Sequence, residues 1–596
     1  MPRSLYAIRE SCGLAKATKL ILVVMITVIS IARSTAWFAN AQTIPSDAQP
    51  TCVVSPSVFA SWFESGSVSL NGVVNPANSV TFPDTPNCSF YQWSEQMFLW
   101  LTSPAPVTYG GGGGRIFDSP VFFDVSPLDG SGNRTFIPHT PGIIRNFTLR
   151  AAQVGRHGLP VIMAKGGRML EIEPPRLAPS GKQLIRNQAG RSIEIESATL
   201  ERGKPVFRDK VGKAIPKAKP ILRPQVSKAL IAQKFMIGRI PIFLDPFGNV
   251  IDTEEGQADG GVLEAQSGSL IFYETIVNDV YAYFLTGTKD GGITPAPTQF
   301  PTTQAALNKI IAFAAAHGKT FPDPNALAIE IKSSWIEAAG LPNLSSYITV
   351  QATIPTYDKS NPNQWVPNGQ KTAQLALLGM HVVGSAKGHP EMIWATFEHF
   401  GNTPNATYAY NSTSGPKTVT QNTSGSWVFC ASGSGGPFNV MHMQTSPFGS
   451  ATIVPTPGHT ISPSDTIRFK PWGGASNASP NPLDFTVAAS NTEIIAINNS
   501  VRGQLAAGDI RGNYFMMGST WTIGGAAITS NFGNPGNTGA TPGKGVGTSQ
   551  LANTTMETYQ QVNTSFDMFS NNCFSCHTSN TTNVSHVFGA LKPLFP

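Results

Sequence analysis

The chain has 596 residues, of which only 13% are charged, with 41 Lys and Arg against 35 Asp and Glu, 57 Gly and 47 Pro. That length suits about three or four domains or one large β-rich unit, and a hydrophobic content of 41% excludes a disordered polyelectrolyte. Setting aside residues 1–41, the chain keeps 36 basic and 34 acidic residues, a net of +2, which argues against nucleic-acid binding as the main activity.

Residues 1–41 read as an export signal. Arg3, Arg9, Lys16 and Lys19 precede an apolar run over residues 20–32, and Ala39-Asn40-Ala41 forms an A-x-A cleavage site before Gln42. The run is shorter than the roughly 20 residues of a membrane-spanning helix, and the expectation is a cleaved leader with no later transmembrane span. Cys52 and Cys88 follow. In an oxidising compartment they can pair with each other, although pairing of Cys88 with Cys430 is equally legal on sequence.

Apolar residues at helical spacing predict a helix over residues 92–101 (QWSEQMFLWL). The glycines 110–114 read as a flexible loop. Asp129 to Asn133 (DGSGN) and Asp245 to Asn249 (DPFGN) each lie between apolar runs and predict hairpin turns. Between them, residues 160–239 hold 17 basic and 6 acidic residues, a local +11 that leaves −9 on the rest of the mature chain. The densest part, residues 201–224, is interrupted by Pro205, Pro216 and Pro220, which predicts a loop or edge ribbon rather than a basic helix. It is either a solvated insertion or a patch that steers an acidic redox partner.

Periodicity near 3.6 predicts helices over 270–284, 303–317 and 326–339, the last with Asp323 as N-cap, Pro324 at the first helical position and Gly340 just past its end. Strands are expected at 347–354, 373–383, 392–399 and 427–430. Residues 379–399 read as a hairpin carrying His381, His389, Glu398 and His399. Trp394, Thr396 and Glu398 share one face, and either the polar groups satisfy one another or His381, Glu398 or His399 serves a site. Residues 530–550 are rich in Gly, Asn, Pro and Thr and read as a linker or long loop. The expected organisation is therefore a signal at 1–41, an α+β, β-rich body at 42–529, the linker, and a short segment at 551–596.

That last segment carries the chemistry. Cys573-Phe574-Ser575-Cys576-His577 has the C-x-x-C-H spacing of c-type haem attachment. The two thiols add to the porphyrin vinyl groups as thioethers, and the histidine ligates the iron. A redox dithiol would sit near a βαβ pattern, and a zinc site would want a second Cys/His pair at ligand spacing; neither is present around residue 573. One covalent haem c is thus the expected cofactor. With 19 residues after His577, the segment lacks the helices that a class I cytochrome c builds downstream of its motif. It is too small to bury a haem alone, so docking on the body is expected. His586 is the first choice for the distal iron ligand, with Met556, Met568, Met441, His442, Met443 or solvent as alternatives.

The blocks ALLGMHVVGSAKGHPEMIWATFEHFGNTPN, YQWSEQMFLWL and LANTTMETYQQ, with the NCFSCH and SHVFGALKPL ending, resemble a family of large exported bacterial proteins of the cytochrome c type. The resemblance implies haem c and a periplasmic or secreted location, and it leads one to expect an acidic residue where Gly401 stands. Three functions follow: an electron carrier or the electron-accepting subunit of an oxidoreductase; a haem-dependent oxidase, peroxidase or oxygenase with an open distal site, which a body of this size favours; or a binding or assembly protein with a redox haem.

Overall fold

The computed structural model describes the chain between residues 44 and 595, apart from internal stretches, chief among them 127–132, 148–160, 223–230, 252–261, 432–443, 446–452, 474–484, 529–541 and 559–572. The expected export signal, most of Asp129–Asn133, most of the 110–114 loop, and Met441, His442, Met443 and Met568 lie outside the described residues. The architecture is β-rich α+β. Among the described residues no helix is long and apolar enough to cross a membrane.

A 10-stranded sheet organises the body. Nine of its strands are β1 (Phe122–Val125), β2 (Phe136–Pro138), β3 (Ile271–Asn278), β4 (Ile329–Glu337), β5 (Thr349–Asp358), β6 (Val366–Ala386), β7 (His389–His399), β8 (Tyr514–Thr522) and β9 (Gly545–Gly547). They run in the order β2-β1-β3-β4-β6-β7-β8-β9, and a short strand, Arg145–Asn146, joins β5 at the side. The 21-residue β6 is the spine. One of its edges pairs with β4, while the other is shared end to end by β5 and β7.

Register separates the two faces of the sheet, because successive side chains alternate. Cross-strand partners Glu330–Val383–Trp394, Lys332–His381–Thr396 and Ser334–Gly379–Glu398 put these residues in three rows on one face. The other face is covered by helix α2 (Asn87–Leu101), which follows α1 (Pro56–Trp62). Phe98 stacks on Phe397 at 4.2 Å, and Trp93 fills the space above Gly384, where a Cβ would meet its ring at 2.9 Å. The Cys52–Cys88 disulfide ties the strand-free N-terminal stretch to the start of α2, and Cys430 is buried elsewhere, beside Trp427 and Ile467.

Two helix expectations are corrected. Residues 270–284 form strand β3 and then helix α3 (Asp279–Lys289), with Asn278 as N-cap accepting from the Tyr281 N–H at 3.0 Å. The strand is buried on both faces, so its apolar run shows no alternation and imitates a helix. Over 326–339, Pro324 opens only the 3-10 turn Pro324–Ala326. Leu327 then takes φ +61°, which breaks any helix, and Ile329–Glu337 runs as β4. The third expected helix is present as α4 (Gln304–Ala316), capped by Thr303. Residues 427–430 are a bend rather than a strand, and Gly545–Gly547, within the expected linker, pairs with β8. The Asp245 turn joins two antiparallel strands as read, its carboxylate accepting from the N–H groups of Phe247 and Asn249.

The basic region folds as small sheets inserted between Arg145–Asn146 and β3. Ser197–Glu201 and Lys204–Arg208 make the two-stranded ribbon that contains Pro205. Ile185, Phe207, Phe235, Ile242 and Leu244 give this insertion a core of its own.

Helix α2 also buries a carboxyl group. Glu95 is 4% exposed, and burial, opposed by the nearby Arg502, pushes its pKa from 4.5 up to about 8. The folded state then holds a proton that the unfolded chain releases near pH 4.5. Stability should fall as pH rises from about 4.5 to 8, by about 4 kcal/mol at most. In urea titrations across that range, Glu95→Gln should remove this part of the decline; an unchanged pH slope would contradict the assignment.

Candidate haem-binding site

The C-x-x-C-H motif lies in a single turn of helix, α6 (Cys573–Cys576), which follows α5 (Phe485–Arg502) in the chain. The His577 N–H donates to the Cys573 carbonyl at 3.0 Å. Positions i, i+3 and i+4 of such a turn share one face, so 573, 576 and 577 can address one planar ligand together. Phe574 is 2% exposed and anchors the turn against Trp394 and Ile528.

The turn sits on the sheet face that bears Trp394 and His381. The Trp394 indole lies 4.0 Å from the His577 ring, centroid to centroid, and its Nε1–H donates to the Glu391 carbonyl at 2.9 Å. His577 Nδ1 is 2.6 Å from the Val584 carbonyl. A carbonyl only accepts, so Nδ1 carries the proton and Nε2 keeps the lone pair that a metal requires. Burial holds the pKa of His577 well below its ordinary value, and His586, Lys332 and His381 add to the effect. The imidazole is therefore neutral near pH 7, the form that ligates.

The chain beyond His577 is fastened to the same face. Ser585 Oγ donates to Glu330 Oε2 at 2.6 Å and lies 2.7 Å from the Tyr281 hydroxyl. Val584, Val587, Phe588 and Leu591 pack with Val383, Phe284 and Leu307 from β6, α3 and α4. Lys289 Nζ donates to the carbonyls of Phe588, Gly589 and Leu591 at 2.5–3.1 Å. Burial pushes Glu330 up to about 7, against the Ser585 hydrogen bond and the charges of Arg134 and Lys332.

The hairpin residues divide between site and scaffold. His381 points to the 553–558 stretch ahead of the motif, with Nε2 2.6 Å from Glu557 Oε1. Glu398 is fully buried and pairs with Arg468, while also accepting from the Thr554 N–H, the Thr554 hydroxyl and the Asn402 amide. It is a structural hub. His399 stacks on Tyr347 at 3.7 Å, accepts from the Gly401 N–H, and is lowered to about 3 by burial. A side chain at 401 would meet the Tyr347 hydroxyl at 2.9 Å, so the acidic residue expected there has no room. His389 pairs with Glu391. Met556, a distal-ligand alternative, is buried among Ile271, Ile336 and Leu378. His586, the first choice, stacks face to face on His577, with centroids 4.0 Å apart and planes 16° apart.

Lys332, Glu330, Glu557, Tyr281 and Val584 were not singled out by sequence. Reading 326–339 as helix hid the alternation that sends Glu330 and Lys332 to the site face. On the opposite face, ligand-capable atoms of Asp124, His139 and Glu274 lie within 4.8 Å of one another. Arg145 pairs with both carboxylates there and already supplies the cation. The chain matches no family model, no curated protein and no solved structure.

Proposed function

We propose that this chain is an exported c-type cytochrome carrying one haem, with Cys573 and Cys576 as thioether anchors and His577 as an iron ligand, and that it carries electrons alone or as a subunit of an oxidoreductase. The observation that supports this most is the 2.6 Å contact from His577 Nδ1 to the Val584 carbonyl. Such a bond to a backbone carbonyl fixes the tautomer and ring orientation of a ligating histidine and raises its basicity. When bound, haem c supplies one-electron chemistry at a potential set by its ligands and burial. The protein's part is to hold His577 neutral and aligned and to seat the motif on a rigid sheet.

The partner in this reading is an acidic redox protein received by the basic segment 201–224. Lys210, Lys213, Lys217 and Lys219 are exposed there, so the association should weaken as salt screens them. Residues 1–41 direct the chain to the periplasm or outside the cell.

A second reading, a haem-dependent oxidase, peroxidase or oxygenase, is favoured by the His381–Glu557 pair. A histidine hydrogen-bonded to a carboxylate beside the motif is an arrangement suited to proton transfer.

One experiment tests both. The full chain, made in a host with haem-attachment machinery, should yield protein whose colour survives denaturation and whose mass exceeds that of the chain cleaved after Ala41 by one haem. Colourless protein would overturn the assignment. Low-spin iron unaffected by cyanide or carbon monoxide marks the carrier, and high-spin iron that binds them marks the enzyme.

A further inference from the structure

We infer that Trp394 and His586 clamp the two faces of the His577 imidazole, so that His586 positions the ligand rather than serving as the second protein ligand to iron. The inference rests on the haem reading above and departs from what sequence position suggests for His586. Each ring centroid lies 4.0 Å from that of His577. The indole plane is tilted 39° to the imidazole and the His586 plane 16°, and two rings so close cannot both lie over one face, so they flank it. Imidazoles that bind one metal from opposite sides meet it end-on through nitrogen, at bonds of about 2 Å. His577 and His586 lie face to face instead, with planes 16° apart.

The backbone prevents an easy exchange between the two arrangements. Val584, two residues before His586, supplies the carbonyl that holds His577 Nδ1. Ser585, the adjacent residue, is bound to Glu330 and Tyr281, and Val587 on the other side is buried. Carrying His586 around to the far side of a haem would break the Ser585 anchors or withdraw the Val584 carbonyl. On the other flank, Trp394 is held by the Glu391 carbonyl on a central strand. The clamp and the Val584 bond together fix both the tilt and the rotation of the His577 plane.

The test uses holoprotein carrying His586→Phe, which keeps a ring and removes the nitrogens, alongside His586→Ala and Trp394→Leu. With His586→Phe the iron spin state should match that of the unaltered protein, whatever that state is, and cyanide binding should be unchanged. His586→Ala and Trp394→Leu should keep the spin state but shift and broaden the paramagnetic resonance of the oxidised protein, because the imidazole plane is freed. If His586→Phe does not fold, His586→Leu gives the same comparison of spin state. Conversion from low to high spin in either variant, or a newly created cyanide site, would show that His586 ligates and would overturn the inference. Resonance unshifted in both His586→Ala and Trp394→Leu would overturn the clamp. Absence of covalent haem from the unaltered protein would instead sink the haem reading, and this inference with it.

Discussion

Replacing Arg468 by alanine should destabilise the protein by about 3–5 kcal/mol, the range for removing one partner of a buried ion pair. Arg468 and Glu398 are both fully buried. The guanidinium pairs with Glu398, donates to Asn405 Oδ1 at 2.7 Å, and lies 5.1 Å from the centroid of the Phe515 ring. Without it, Glu398 keeps the hydrogen bonds from Thr554 and Asn402 but loses its countercharge. The remaining carboxylate must take up a proton or draw in water. Because Thr554 belongs to the 553–558 stretch laid across β4, β6 and β7, amides there should exchange faster than those of α4. The urea midpoint measures the loss, with an unchanged slope showing that the unfolded state is not altered. The double replacement Arg468→Met with Glu398→Met should recover much of it, since the cost lies in the unpaired charge. A loss below about 1 kcal/mol in the single variant would mean that solvent already reaches the pair, as it does for surface ion pairs.

On the proposed haem assignment, replacing Cys573 and Cys576 together by serine should abolish covalent haem attachment while leaving the body folded. The contacts that hold the turn and the chain after it, from Phe574, from His577 to Val584, and from Ser585 and Lys289, are made by other side chains and by the backbone. The Cys52–Cys88 disulfide is untouched. Circular dichroism should therefore match that of the unaltered protein, and no colour should remain on a denaturing gel. Retained colour would place the attachment elsewhere, and a collapsed far-ultraviolet signal would show that the motif supports the fold.

Sequence was legible where a signal is local. The C-x-x-C-H spacing, the periodicity of α4, the Asp245 turn and the β6–β7 hairpin each depend on residues within about twenty positions. The side to which His381 points was not legible. It follows from pairing with β4, and one slipped residue would have turned it to the α2 face. The Arg468–Glu398 pair spans 70 residues and the Tyr281–Ser585 contact 304. No window on the chain contains such pairs. Strand β3, buried on both sides, lacks the alternation that would have identified it.

The groups that receive the 573–595 stretch, on β3, β4, β6, β7, α3 and α4, all precede it in the chain. In synthesis the receiving groups are therefore made before the two cysteines. On the haem reading proposed above, an attachment enzyme would act on the two cysteines before this stretch docks, and docking would then shield the product. Fastening points remote from the thiols, at Ser585 and Lys289, allow that late closure to proceed whatever the thiols carry.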